Sequence, residues 1–537
     1  MDKALLRGIT VPSPKCQPFE LSDDLQKIKY YSNLNSFIPP MKQLFHVSSN
    51  VIFENDYVIT NVEIQNEENI KGNCNLEVLY KGVPTKIEGY LKVTHLIDPI
   101  QKLQNDSSSE EEEEKINDPW NQAYVETVAS YALGKLKKEN ISPHFNLFYG
   151  AFTSIAKTYN YNISEEVDSY KMYRWFWDSI ENNTMKINVQ GEDTILAKEI
   201  YDEIMIKPEY CIDTTNETET EELFGDVKNE SYEVKSLDSA SIQTKSTITT
   251  IDSEDSDDEE GEYEVFVTIE NFPVMMIFTE KNESTMDDLL ENYEEVGAEP
   301  NTKIWEEKWT AWLFQVISAL CVAQTLFGLT HNDLHTNNIV WSHTEEKYLY
   351  YRSNTKKVFR VPTYGKLFKI IDFGRSIFNI NEHLFVSDDF KEGNDAATQY
   401  NFEPLVKKDD KENSVIIPPN PSFDLARLAI SLFENLFPEM PDEKKDGTFL
   451  SREKGRVVKE TKSELYNMLW TWLLDKDNNN ILWDESNNER FPDFGLYVHI
   501  ASSCNNSEPK QQIYKKPFHK FMVEHVPKSA KVYQLYV

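Results

Sequence analysis

Two short segments constrain this 537-residue chain more than any others. They are Leu329-Thr-His-Asn-Asp-Leu-His-Thr-Asn-Asn-Ile-Val-Trp341 and, downstream, Lys369-Ile-Ile-Asp-Phe-Gly374. In the first, Asp333 and Asn338 lie on a polar loop between an apolar run ending near Leu329 and a short apolar strand, Ile339 to Trp341. In the second, a strand from Leu367 to Ile371 delivers Asp372 at its end, and Gly374 is expected to let the backbone turn sharply. Each segment sets a carboxylate on a loop beside a strand. Either pattern arises by chance in many chains; the two together, in this order, are a strong signal.

Phosphoryl transfer from a nucleotide needs a carboxylate that orients a hydroxyl and takes its proton, and oxygen ligands for the Mg²⁺ that neutralises the phosphates. The two segments resemble the protein-kinase superfamily, whose catalytic loop reads His-x-Asp-Leu-x-x-x-Asn and whose metal loop reads Asp-Phe-Gly. The resemblance implies that Asp333 is the catalytic base, that Asn338 and Asp372 are metal ligands, and that ATP and Mg are bound. It also implies an α+β, two-lobed protein-kinase-like fold: a small antiparallel sheet plus a helix, then a larger, mainly helical lobe, here with long acidic insertions.

Upstream, from about Asn50 to Ile97, short runs of β-branched and aromatic residues punctuated by Gly and Asn predict antiparallel strands. The last run, Tyr90-Leu-Lys-Val93, sets Lys92 among apolar neighbours, and the resemblance makes it the lysine that binds the α- and β-phosphates. Lys86, on the same face of a regular strand, is the alternative; a solvated lysine is the plain reading of either. No Gly-x-Gly-x-x-Gly loop precedes them, since Gly72, Gly82 and Gly89 do not make that pattern. Pro119 opens a helix over Asn121 to Lys138, whose Glu126 would be the ion-pair partner of the strand lysine. Ser142 to Phe152 predicts a strand pair, and Val265 to Ile269 and Phe272 to Thr279 two further strands. By resemblance the adenine-binding hinge falls at Thr279 to Lys281, with Glu280 and Lys281 as nucleotide-binding residues. Trp305, Trp309, Trp312, Val316 and Leu320 recur at helical spacing and predict a long buried core helix rather than a membrane span.

Within the catalytic loop, Asn332 stands where many protein kinases carry Arg, so no dependence on an activation-segment phosphate is expected. His335 stands where protein Ser/Thr kinases carry Lys, and His-x-Asp-Leu-His-x-x-Asn is also similar to aminoglycoside and choline kinases. His335 is therefore either a γ-phosphate ligand or a brace for the loop. Arg375 to Asn420 is polar and irregular, without an Ala-Pro-Glu motif. Pro421 to Phe433 predicts a helix N-capped by Ser422. Its Asp424 resembles the buried aspartate that holds the catalytic-loop backbone, with a plain N-terminal helix carboxylate as the competing reading. Leu465 to Leu474 and Phe491 to Ile500 read as core helices.

Charge bounds the partners. With 55 basic against 91 acidic residues and a formal charge of −36, the surface repels nucleic acid and anionic membranes, so neither is an expected partner. The acid clusters in insertions. The expected organisation is an N-terminal arm at 1–45, an N-lobe at 46–280 and a C-lobe at 281–537. The N-lobe is expected to contain disordered acidic insertions near 104–117 and 210–262 and a helical insertion near 155–209. Ser253 and Ser256, in the second acidic run, look like substrates of an acidophilic kinase. Five cysteines without a Cys-x-x-Cys pair and an N-terminus too poor in apolar residues for a signal peptide predict an intracellular, cytoplasmic protein without a zinc site. The Asn-rich, acid-inserted character, with Lys92 followed by Asp98-Pro99 and the segment Phe491 to Tyr497, resembles divergent kinase-like proteins of large DNA viruses. That likeness adds packaging in a virion.

The resemblance thus implies an atypical protein kinase that transfers the ATP γ-phosphate to Ser/Thr hydroxyls of a protein substrate. A small-molecule phosphotransferase is the first alternative, favoured by His335 and the missing docking motif. A catalytically silent pseudokinase acting as a binding or virion scaffold protein is the second, favoured by the missing glycine loop.

Overall fold

The β-branched runs before His95 pair with one another. Tyr57–Ile64, Gly72–Tyr80 and Val83–His95 form successive antiparallel hairpins, where branched and aromatic side chains pack well on a pleated surface. This computed structural model describes residues 13–65, 71–104, 108–191, 193–212, 263–406, 416–453, 456–484, 486, 488–492 and 494–537. Ser253, Ser256 and most of the acidic run near 210–262 lie outside them.

The hairpins belong to a seven-stranded antiparallel sheet. Its order is Tyr31–Asn35, Phe148–Asn162, Tyr263–Glu280, Val83–His95, Gly72–Tyr80, Tyr57–Ile64; Met185–Gly191 pairs with the first half of Tyr263–Glu280. Cys74, Leu76, Leu91, Val93 and Phe278 fill a core on one face. On the other, Met275 and Ile277 meet the helix Gln122–Lys138 and join a second, larger core.

At the centre of that second core lies the helix Lys303–Phe327, capped by the Thr302 hydroxyl and ended by Gly328 in the left-handed region at φ 61°. It is long and apolar enough to cross a membrane, but 89% of its apolar window is buried in the protein, as the tryptophan spacing predicts. A three-stranded sheet of Ser284–Thr285, Ile339–His343 and Lys366–Ile370 lies against it. The helices Phe423–Leu436, Glu464–Trp472 and Gly495–Ser503 complete the core. The chain is a mixed α+β protein with mainly antiparallel sheets.

Several expectations need correction. The described part of the 1–45 arm is built in, because Tyr31–Asn35 is a sheet strand. The acidic run at 104–117 is a helix over Ser109–Asn117: Ser108 and Glu111 close a capping box, and acidic residues in the first turn favour the helix dipole. The 155–209 insertion is mixed rather than helical, since Phe148–Asn162 runs into it as one strand and Met185–Gly191 adds another. Tyr263–Glu280 is a single strand; Asn271, at φ 55°, bends it without ending it, because neighbours pair on both sides. The region after Arg375 contains a hairpin, Ile377–Ile380 with His383–Val386. Ser422 makes no side-chain cap on the helix it precedes.

Candidate functional site

Strand register brings the two defining segments together. Ile339 pairs with Ile370, and the Ile371 N–H donates to the Asn338 carbonyl at 3.0 Å, so Asn338 and Asp372 leave the hairpin at the same end. The sharp turn is taken by Asp372 itself, at φ 64°, while Gly374 keeps ordinary dihedrals. Aspartate is among the few side chains that tolerate this region, and such strain persists only where surrounding contacts hold it.

The Lys92 ammonium supplies one such contact. It lies 2.7 Å from Glu126 Oε1 and 2.8 Å from Asp372 Oδ1. Burial alone would lower its pKa, but the two carboxylates hold it above the usual lysine range. Burial raises the Glu126 carboxyl against the pull of Lys92, whereas the same ammonium outweighs burial at Asp372 and keeps that carboxyl low. Lys86, despite the shared parity, is on the outer end of the strand, 82% exposed and paired with Glu77 at 2.8 Å.

Asp424 holds the loop that follows Leu329 from below. Fully buried, it accepts the His331 N–H at 3.0 Å and the Asn332 N–H at 3.0 Å. Asn332, at φ 67°, donates to the Arg375 carbonyl at 2.8 Å and accepts the Tyr400 hydroxyl at 2.6 Å. The His331 Nε2–H donates to the Ile371 carbonyl at 2.8 Å, joining the two segments again. The Asn338 amide nitrogen faces two acceptors, the Asp333 carbonyl at 2.8 Å and His335 Nε2 at 3.0 Å. Both N–H donors are thereby used, which fixes the amide orientation and leaves Oδ1 as the outward atom.

His335 is a brace. Burial lowers its pKa to about 4, so at neutral pH it is uncharged and able to accept from Asn338. The unfolded histidine titrates near 6.5, so the unfolded chain takes up a proton first as pH falls. Stability from this group is present above about pH 6.5 and lost on the way down to about pH 4. His335→Gln retains an acceptor for Asn338 but not the titration. Its loss of unfolding free energy between pH 7 and pH 5 is expected to be about 2 kcal/mol smaller than that of the parent; equal losses in urea titrations would refute the assignment.

The side chains of Glu280 and Lys281, expected to bind nucleotide, do not line the cleft. Glu280 turns away to Lys137 at 2.7 Å and Lys369 at 3.1 Å, and its N–H is taken by the Leu147 carbonyl at 3.0 Å. Lys281 pairs with Glu88 at 3.4 Å. Glu280 is an internal tie between helix and strands, a role a buried cation pair could only reveal in three dimensions.

A residue the sequence concealed stands beside Asp333. The Tyr497 hydroxyl donates to Asp333 Oδ1 at 3.1 Å and accepts from Arg427 Nε at 2.8 Å, all three groups being buried. The sequence places Tyr497 in an aromatic helix as core. Its only signal was a polar tip, which a buried tyrosine must satisfy.

Lys92, Glu126, Asp333, His335, Asn338 and Asp372 share one cleft of about 610 Å³. Asn338 and Asp372 are hard oxygen donors, and among the described residues no group of three or more His, Cys, Asp and Glu gathers for a metal. A pair of oxygen side chains suits Mg²⁺, which completes its shell with phosphate and water oxygens. A scan against protein-family models finds no match to the chain, and a search of curated proteins finds none.

Proposed function

We propose that this protein is an atypical, two-lobed protein-kinase-like phosphotransferase that moves the γ-phosphate of ATP to a Ser/Thr hydroxyl of a protein substrate. The observation that carries the reading is the Lys92 ammonium bridging Glu126 and Asp372 in the cleft that also holds Asp333 and Asn338. Asp333 would accept the proton of the attacking hydroxyl as its oxygen bonds to phosphorus and the bond to the ADP oxygen breaks. Lys92 would orient the α- and β-phosphates. Asn338 and Asp372 would hold Mg²⁺, which when bound offsets the phosphate charge.

Independence from activation-segment phosphorylation belongs to the same proposal. Carboxylates occupy that region: Asp388 accepts the Gln122 N–H at 2.8 Å and pairs with Lys115 at 3.1 Å, at the start of the Glu126 helix. Asp389 and Asp395 pair with Arg375 at 3.3 Å and 3.4 Å. Five free thiols suit a reducing, intracellular compartment.

Thermal unfolding with ATP, with and without Mg²⁺, tests the reading. Saturation at a hundred times Kd adds about 2.7 kcal/mol, a rise of a few degrees. The expected rise depends on Mg²⁺ and is lost in Asp372→Asn. No rise in the parent protein would overturn the nucleotide site and favour a catalytically silent binding protein.

A further inference from the structure

The end of the sheet above the cleft carries a second lysine. Gly72 pairs with Leu91 and Asn73 with Tyr90 in the antiparallel hairpin, so the next cross-strand pair outward is Lys71 and Lys92. Alternation separates the faces: Cys74, Leu76, Leu91 and Val93 go to the core, while Lys71, Asn73, Tyr90 and Lys92 line the cleft. Like charges placed opposite one another on a sheet repel. Lys92 is neutralised by Glu126 and Asp372. For Lys71, Glu264 acts only at longer range, and no carboxylate among the described residues lies within ion-pair distance.

We propose that Lys71 is a second phosphate-binding cation, which supplies through its side chain the anion contact that a glycine-rich loop supplies through backbone amides. This rests on the nucleotide reading above and adds a residue to it. The site fits a polyphosphate chain: two ammonium groups on one face, with the Asn73 amide and the Tyr90 hydroxyl beside them as polar partners. Partial desolvation at the cleft wall and the Lys92 charge hold Lys71 below the usual lysine pKa, against the pull of Glu264. Lys71 stands at the cleft mouth, open to solvent on one side, so its replacement leaves the cores intact.

Calorimetric titration of the full chain and of Lys71→Gln with Mg·ATP, tripolyphosphate and adenosine tests the proposal, with Lys86→Gln as a surface-charge control. The expected result is Mg·ATP and tripolyphosphate binding about tenfold weaker in Lys71→Gln, with a shallower salt dependence. Adenosine affinity should not change, and Lys86→Gln should match the parent. Equal Mg·ATP affinity in Lys71→Gln and the parent would overturn the role of Lys71 alone. Failure of the parent to bind either ATP or adenosine would overturn this proposal and the nucleotide reading together.

Discussion

Asp333→Asn is expected to lower γ-phosphate transfer about 10²–10⁴-fold, the range that a positioned general base contributes, while the Mg·ATP-dependent rise in melting temperature persists. Asparagine fills the same volume and retains an oxygen to accept the Tyr497 hydroxyl, which lies 3.1 Å from Asp333 Oδ1. The loop is also held from elsewhere, by Asp424 beneath it and by His331 reaching the Ile371 carbonyl. The loss therefore reports proton transfer rather than collapse. Transfer of labelled γ-phosphate to a mixed Ser/Thr peptide library, measured beside the melting curves, reads both quantities. Full turnover in the variant would remove Asp333 from the chemistry.

The second large effect is on stability. Asp424→Leu replaces a fully buried carboxylate with an apolar side chain of similar size, stranding the His331 and Asn332 backbone donors. An unsatisfied buried donor costs about 1–3 kcal/mol, so the pair predicts a loss of about 2–6 kcal/mol in urea unfolding. Asn332 sits at φ 67°, a conformation that persists only while its surroundings impose it. Asp424→Asn keeps one acceptor oxygen and should lose less. A loss under about 1 kcal/mol in Asp424→Leu would mean that water or a rearranged side chain satisfies the loop.

What the sequence determined by itself was local. Short runs of β-branched and aromatic residues made Tyr57–Ile64, Gly72–Tyr80 and Val83–His95 legible as strands, and tryptophans at helical spacing marked Lys303–Phe327 as a core helix. The loops of the candidate site were legible for the same reason, because Asp333, Asn338 and Asp372 each lie within a few residues of the element that aims them. Another signal is equally local: the capping box of Ser108 and Glu111 organises a run of glutamates whose like charges alone predict disorder.

Tertiary structure decided everything that joins distant positions. Lys86 and Lys92 have the same parity on one strand, and only the reach of the sheet past the cleft sends one to solvent and the other to Glu126 and Asp372. Glu280 lies in the hinge by sequence, yet buried Lys369 and the neighbouring Lys137 turn it inward. Tyr497 reaches Asp333, and Asp388 reaches Gln122, across long stretches of chain. Such contacts leave no period in the sequence, because a side chain's partner is set by how whole elements pack, and packing is a property of the complete core.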